Sequence, residues 1–155
     1  MSRSLLLVED NEDDVFFFKT AAKKRGLSVP ITVAQNGREA MEILRRYVSG
    51  ECRSTAFGVV LLDIKMPFVS GLEVLEWIRD QPALRFLPVI MLTSSEQEAD
   101  IEAAYRLGAA SFLVKPSNPD DLGEMLRIVD EYWLKHNRLP AEVFDREAAA
   151  PVLKP

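Results

Sequence analysis

Five short apolar runs, residues 5–8, 31–34, 59–62, 89–92 and 111–114, alternate along the chain with segments of helical spacing. Runs this short have strand length and fall well below the length of a buried helix. Between them, apolar residues recur every three or four positions, as in Ala40, Ile43, Leu44 and Tyr47, or in Leu122, Met125, Val129 and Trp133. That spacing places them on one helical face. Parallel neighbours need crossover connections, which are usually helical and right-handed, and a sheet covered on both faces has strands that are apolar throughout. The expected fold class is therefore α/β, with five parallel strands wound by helices on both sides.

Helix starts carry their own chemistry. A side-chain oxygen followed three residues later by Glu can satisfy free amides in the first turn. Asn36 with Glu39, Ser70 with Glu73 and Ser95 with Glu98 fit this pattern. In "SNPDDL", Asn118 can cap, Pro119 suits the first helical position, and Asp120 and Asp121 face the positive helix end. Gly26 and Gly108 stand where helices should stop.

The chain has 155 residues, 48% of them apolar, enough for one sizeable core and too few for two comfortable domains. Nineteen basic against 24 acidic side chains leave a formal charge of −5, which disfavours a nucleic-acid partner. Cys52 is the single cysteine, so no intrachain disulfide or thiolate cluster is available, and a cytoplasmic setting is expected. The N-terminal apolar run meets acid after a few residues, too soon for a signal-peptide core or a membrane span.

In a parallel sheet the strand C-termini share one edge, and ligands bind outside it where strand order reverses. The residues that follow the runs should therefore meet there: Glu9 and Asp10 after the first, Asp63 after the third, Thr93 after the fourth and Lys115 after the fifth. Three carboxylates close together repel unless a cation joins them, and a hard divalent cation such as Mg²⁺ prefers oxygen ligands. A carboxylate held beside such a cation and a lysine can act as a nucleophile toward a phosphoryl group. Asp63, brought to the end of a buried strand, is the expected acceptor.

The motifs "LLLVEDN", "VVLLDIKMP", "VIMLTSS" and "SFLVKP", in this order and spacing, resemble the receiver domain of two-component response regulators. The resemblance spans residues 4–136 and implies a flavodoxin-like (βα)5 fold with strand order 2-1-3-4-5. Residues 137–155 form a tail, expected to be a docked arm or disordered. By the same resemblance Asp63 is the phosphoacceptor, and Asp10 and Asp63, with Glu9 completing the acidic pair, hold Mg²⁺ together with the backbone carbonyl of Lys65. Thr93 matches the switch hydroxyl, Lys115 the cation that bonds the phosphoryl group, and Phe112 the aromatic switch. The Lys115–Pro116 bond matches one that is usually cis. The implied function is a single-domain regulator that takes a phosphoryl group from a sensor histidine kinase or a histidine phosphotransfer protein and changes its protein-binding surface. The segments "VSGECRSTAF" and "DEYWLKHNRLP" further resemble the stand-alone regulators paired with bacterial phytochrome kinases.

Each feature has a plainer reading: Asp10 as a helix cap, "EDNEDD" as a solvated helix start, Asp63 as a turn residue. Their joint placement at separate strand ends favours the functional one. The rival reading is a Mg²⁺-dependent phosphatase or phosphotransferase working through an aspartyl phosphate. Such enzymes typically carry a second acid two residues after the nucleophile, where this chain has Lys65, so the rival lacks its general acid.

Of Phe16, Phe17 and Phe18, successive residues some 100° apart on a helix, Phe17 and Phe18 are expected in the core and Phe16 at the surface as a docking candidate. His136, the one histidine, is expected as a cation at a helix C-terminus, so a phosphohistidine has to come from another protein. Tyr132 and Trp133 exceed what one helix face can bury, which makes the last helix and the tail the expected homodimer contact.

Overall fold

The computed structural model describes residues 3–51 and 56–141. Its elements are β1 (Arg3–Val8), α1 (Glu12–Lys24), β2 (Ile31–Ala34), α2 (Gly37–Ser49), β3 (Ala56–Leu62), α3 (Gly71–Asp80), β4 (Val89–Thr93), α4 (Glu98–Arg106), β5 (Ser111–Val114) and α5 (Pro119–Val129). All five strands pair in parallel in the order β2-β1-β3-β4-β5. This is the doubly wound, flavodoxin-like arrangement, and its crossovers diverge between β1 and β3.

Alternation along the strands divides the core in two. Leu6, Val8, Val60, Leu62, Val89 and Met91 face α2, α3 and α4, where they meet Leu44, Tyr47, Val74, Leu75, Ile78 and Ala104. Leu5, Leu7, Val59, Leu61, Ile90 and Leu92 face the opposite side with Phe18, Ala21, Ala22, Leu126 and Val129 of α1 and α5. All seven residues of β3 are buried. At about 1.5–3 kcal/mol per fully buried large aliphatic side chain, this strand anchors both layers.

The caps follow local chemistry with two departures. Ser70 and Glu73 form the full reciprocal box (Glu73 N–H to Ser70 Oγ 3.3 Å; Ser70 N–H to Glu73 Oε2 2.7 Å). Asn118 accepts from Asp120 N–H at 2.8 Å, as expected. Asn36 also caps, but Glu39 accepts from Gln35 N–H instead of Asn36 N–H. Ser95 does not cap α4. The helix starts two residues beyond the expected first turn, with Gln97 in the cap position, and Ser95 Oγ bonds Asp100 Oδ2 at 2.5 Å. The hydroxyl donates to Asp100 while its oxygen accepts from Gln97 N–H at 3.4 Å, so it ties the turn ahead of the helix and not a first-turn amide.

Three further expectations are corrected. Phe17 is 52% exposed, whereas Phe18 is buried, because Phe18 shares the inward stripe with Ala21 and Ala22 and its neighbour points away from it. The last helix does not continue as an α-helix to His136. It widens at Asp130–His136 into a π-helical stretch. Opposite this stretch, β3 carries an extra residue, Gly58, where the β1 register shifts between Ser4 and Leu5, and a Cβ at Gly58 would lie 2.7 Å from Leu134 Cδ2. Lys115–Pro116 is trans, as is every peptide bond among the described residues. Trans remains the lower-energy isomer even before proline.

Beyond the π stretch, Arg3 Nη1 donates to Asn137 O at 2.5 Å, and Leu139 packs on the α2/α3 side of the core. Cys52 and residues 142–155 lie outside the described residues. His136 pairs with Glu131 at 2.9 Å. No helix among the described residues is long and apolar enough to cross a membrane.

Gly71 is where fold and loop geometry meet. Its N–H donates to Ile64 O at 2.8 Å, and a Cβ there would sit 2.0 Å from Asp63 O. Gly71→Ala should therefore destabilise the protein by about 1–3 kcal/mol, the usual cost of overpacking. Urea unfolding checks this, and an unchanged midpoint would show that the loop yields freely.

Candidate functional site

The C-terminal ends of β1 and β3 flank the point where the crossovers diverge, and backbone bonds carry the ladder to the acids themselves. Glu9 N–H donates to Ala34 O at 3.0 Å, Asp63 N–H to Val8 O at 3.1 Å and Lys115 N–H to Thr93 O at 2.8 Å. The strand ends thereby fix four of the expected residues at one edge. Glu9 and Asp63 are buried and Asp10 is exposed, and one carboxylate oxygen from each lies within 4.8 Å of the others.

Lys115 Nζ enters this cluster from β5. It bonds Glu9 Oε2 closely, Asp63 Oδ2 at 3.1 Å and Asp14 Oδ2 at 3.2 Å. Burial would lower the Lys115 pKa, but the Glu9 and Asp63 carboxylates outweigh it and hold the ammonium charged well above its ordinary range. Glu9 moves in the direction burial dictates. Its carboxyl is raised to about 7, with the Asp63 charge adding to the rise and Lys115 and Asn11 N–H opposing it.

Asp63 Oδ2 is held by Lys115, whereas Oδ1 is buried and has no hydrogen-bond partner among the described residues. A buried carboxylate oxygen left so is costly unless a ligand completes it. An acidic trio of oxygen donors, Asp63 among them, suits a hard divalent cation, the donor chemistry such an ion prefers.

Thr93 is fully buried at the end of β4, and its Oγ1 accepts from Ser95 N–H at 3.4 Å. Phe112 of β5 pairs with Met91 of β4 and is half-buried against the α2/α3/α4 side of the core. Lys65, two residues beyond Asp63, has an exposed side chain.

Two residues at this edge escaped the reading of the sequence. Asp14 stood inside an acidic helix start, and no local pattern set it apart from Glu12 and Asp13. Phe68 has φ +68° and is 90% exposed, the one non-glycine in the left-handed region among the described residues. It borders a cavity that Glu9, Asp10, Val15 and Asn36 also line, and Arg38 stands 5.9 Å from its ring centre. A bulky residue in this conformation is strained, and its sequence carries no signal for it.

Residues 5–127 match the family model described as the response regulator receiver domain. The probable methanogenesis regulatory protein FilR2 of Methanothrix harundinacea is 37% identical over 136 residues, covering 88% of this chain and 86% of its own length. The response regulator Rcp1 of Synechocystis sp. is 33% identical over 137 residues, covering 88% and 92%. Among solved structures, the Mn²⁺-bound form of Rcp1 superposes with a TM-score of 0.75 at 32% identity, covering 90% of this chain and 99% of that one. The phosphorylated cyanobacterial phytochrome response regulator RcpA gives 0.79 at 30% identity, with the same coverage. With the fold, the strand-end acids and these relatives in agreement, the chain belongs to the response regulator receiver family.

Proposed function

We propose that this response regulator is switched by transfer of a phosphoryl group from a phosphohistidine to Asp63. The observation that carries the reading is Asp63 itself: a buried carboxylate with Oδ2 on Lys115 and Oδ1 without a hydrogen-bond partner among the described residues. In the transfer the bond between phosphorus and the imidazole nitrogen breaks, a bond from phosphorus to an Asp63 oxygen forms, and the imidazole leaves. Such transfers depend chiefly on positioning and on charge stabilisation.

Glu9, Asp10, Asp63 and the Lys65 carbonyl would hold Mg²⁺, and the bound ion would supply positive charge beside the transferring oxygens. Lys115 supplies a second positive charge, fixed by the acids around it. Thr93, at the adjacent strand end, would donate its hydroxyl to a phosphoryl oxygen, and Phe112, packed on the same side as α4, would follow. The partner in this reading is a cytoplasmic sensor histidine kinase or histidine phosphotransfer protein. The likeness to Rcp1 and RcpA favours a bacterial phytochrome kinase.

Incubation with Mg²⁺ and a small phosphodonor should add one phosphoryl mass to the intact protein. The adduct should be absent without the cation and in Asp63→Asn. An adduct that persists in the variant would move the acceptor elsewhere.

Cation binding should depend on pH through Glu9. A carboxyl raised to about 7 is largely protonated at pH 6, and a divalent ion must displace that proton. Affinity should therefore be about tenfold weaker at pH 6 than at pH 8, and calorimetry in buffers of different ionisation heat should detect the released proton. Glu9→Gln should abolish the pH step. The sign for stability is opposite: folded Glu9 holds its proton more tightly than the unfolded chain, so the metal-free fold loses stability as pH rises from about 4.5 through 7.

For homodimer formation the supporting surface is Ile128, 52% exposed, and Tyr132, 53% exposed, whose ring meets Trp133 edge-on at 5.0 Å. Tyr132→Glu should shift sedimentation toward the monomer. An unchanged coefficient would remove this face from the contact.

A further inference from the structure

The ammonium of Lys115 has three N–H donors, and three carboxylates already take them: Glu9, Asp63 and Asp14. A phosphoryl group on Asp63 would consume that carboxylate's own charge and bring fresh anionic oxygens to the same ammonium, where they would compete with the partners that remain. The three partners differ sharply in what release would cost. The Asp63 carboxylate gives up its own charge when it is phosphorylated, and Glu9, with a side chain only 4% exposed, has no water to replace the ammonium and would rely wholly on the divalent ion or a proton. Asp14 is 45% exposed and makes the longest of the three contacts, so water can take over its oxygen. It stands in the first turn of α1, where Asn11 Oδ1 accepts its backbone N–H and holds the turn whatever its side chain does.

We propose that Asp14 is the exchangeable counter-ion of Lys115: it holds the ammonium while Asp63 is unmodified and competes with the phosphoryl group for it afterwards. Asp14 is thus a positioning residue acting through Lys115, and it weights the equilibrium against the phosphorylated form. The inference rests on Asp63 as the phosphoacceptor.

Fluoroberyllate, a phosphoryl mimic that adds to the acceptor carboxylate without turnover, tests the competition at equilibrium. Its apparent Kd on the full chain is measured by fluorine NMR at saturating Mg²⁺, for wild type, Asp14→Asn, Asp14→Glu and Asp13→Asn. Asp13 is the control, an exposed acid of the same helical turn. Asp14→Asn should tighten binding about two- to fivefold, the worth of a partly exposed ion pair. Asp14→Glu should stay near wild type, and Asp13→Asn should change little. Equal tightening in Asp13→Asn would mean a general effect of net charge and would overturn the exchange, as would an unchanged or weaker Kd in Asp14→Asn. If wild type takes up no fluoroberyllate, or Asp63→Asn takes it up equally, the acceptor assignment fails and the exchange falls with it. Wild-type uptake lost in Asp63→Asn but unaltered by Asp14→Asn would overturn the exchange alone.

Discussion

The contact on which the functional edge depends is the ammonium of Lys115 among its carboxylates. It draws together the ends of β1, β3 and β5 and the first turn of α1, elements brought into one crevice only by the tertiary fold. Glu9 and Asp63 would otherwise be two buried acids in close repulsion, a situation proteins relieve by neutralising one of them. Burial above all, with the Asp63 charge adding to it, still holds the Glu9 carboxyl raised to about 7 even with Lys115 beside it. The site is therefore short of positive charge by construction, which is the condition under which a divalent cation is welcome.

Topology explains why the deficit sits here. Crossovers diverge between β1 and β3, so no connecting helix covers their C-terminal ends, and the acids stand in the gap. The rest of the sheet is sealed by two apolar layers, one under α1 and α5 and the other under α2, α3 and α4. Gly71 lets α3 start directly against the Asp63 carbonyl, so the strand end and the helix start share one rigid corner. Rigid placement of this kind is what transfer between positioned groups requires.

The strands were legible because each is an uninterrupted apolar run, and the acids were legible because each run ends abruptly on one. Ser70 and Glu73 were legible as a cap since both partners lie within four residues. What escaped depends on contacts remote in sequence. The π-helical stretch sets Leu134 close against Gly58, seventy-odd residues earlier, and no local pattern around Asp130 signals the widening. Ser95 carried a capping signature that its own burial overrode, because Asp100 offered a charged acceptor. Phe17 went astray for a simpler reason: three adjacent rings compete for one inward stripe, and Phe18, in line with Ala21 and Ala22, occupies it.

The Ser95 result bears on how a change at Asp63 could travel. Thr93 Oγ1 accepts from Ser95 N–H, and Ser95 Oγ is bound to Asp100 in α4, so the strand-end hydroxyl and the helix are joined by two hydrogen bonds. If Thr93 turns toward a phosphoryl oxygen, it leaves the weaker of these, at 3.4 Å, and meets a charged acceptor in its place. A hydrogen bond to a charged group contributes about 1.5–3 kcal/mol, whereas moving a two-state equilibrium from 1:99 to 99:1 takes about 5.5 kcal/mol. One hydroxyl cannot supply that difference alone. In the proposed switch the Lys115 contact would add to it, and any anion that retained a share of Lys115 would subtract from it, so the carboxylates around the lysine would weigh on the outcome as much as the hydroxyl that turns.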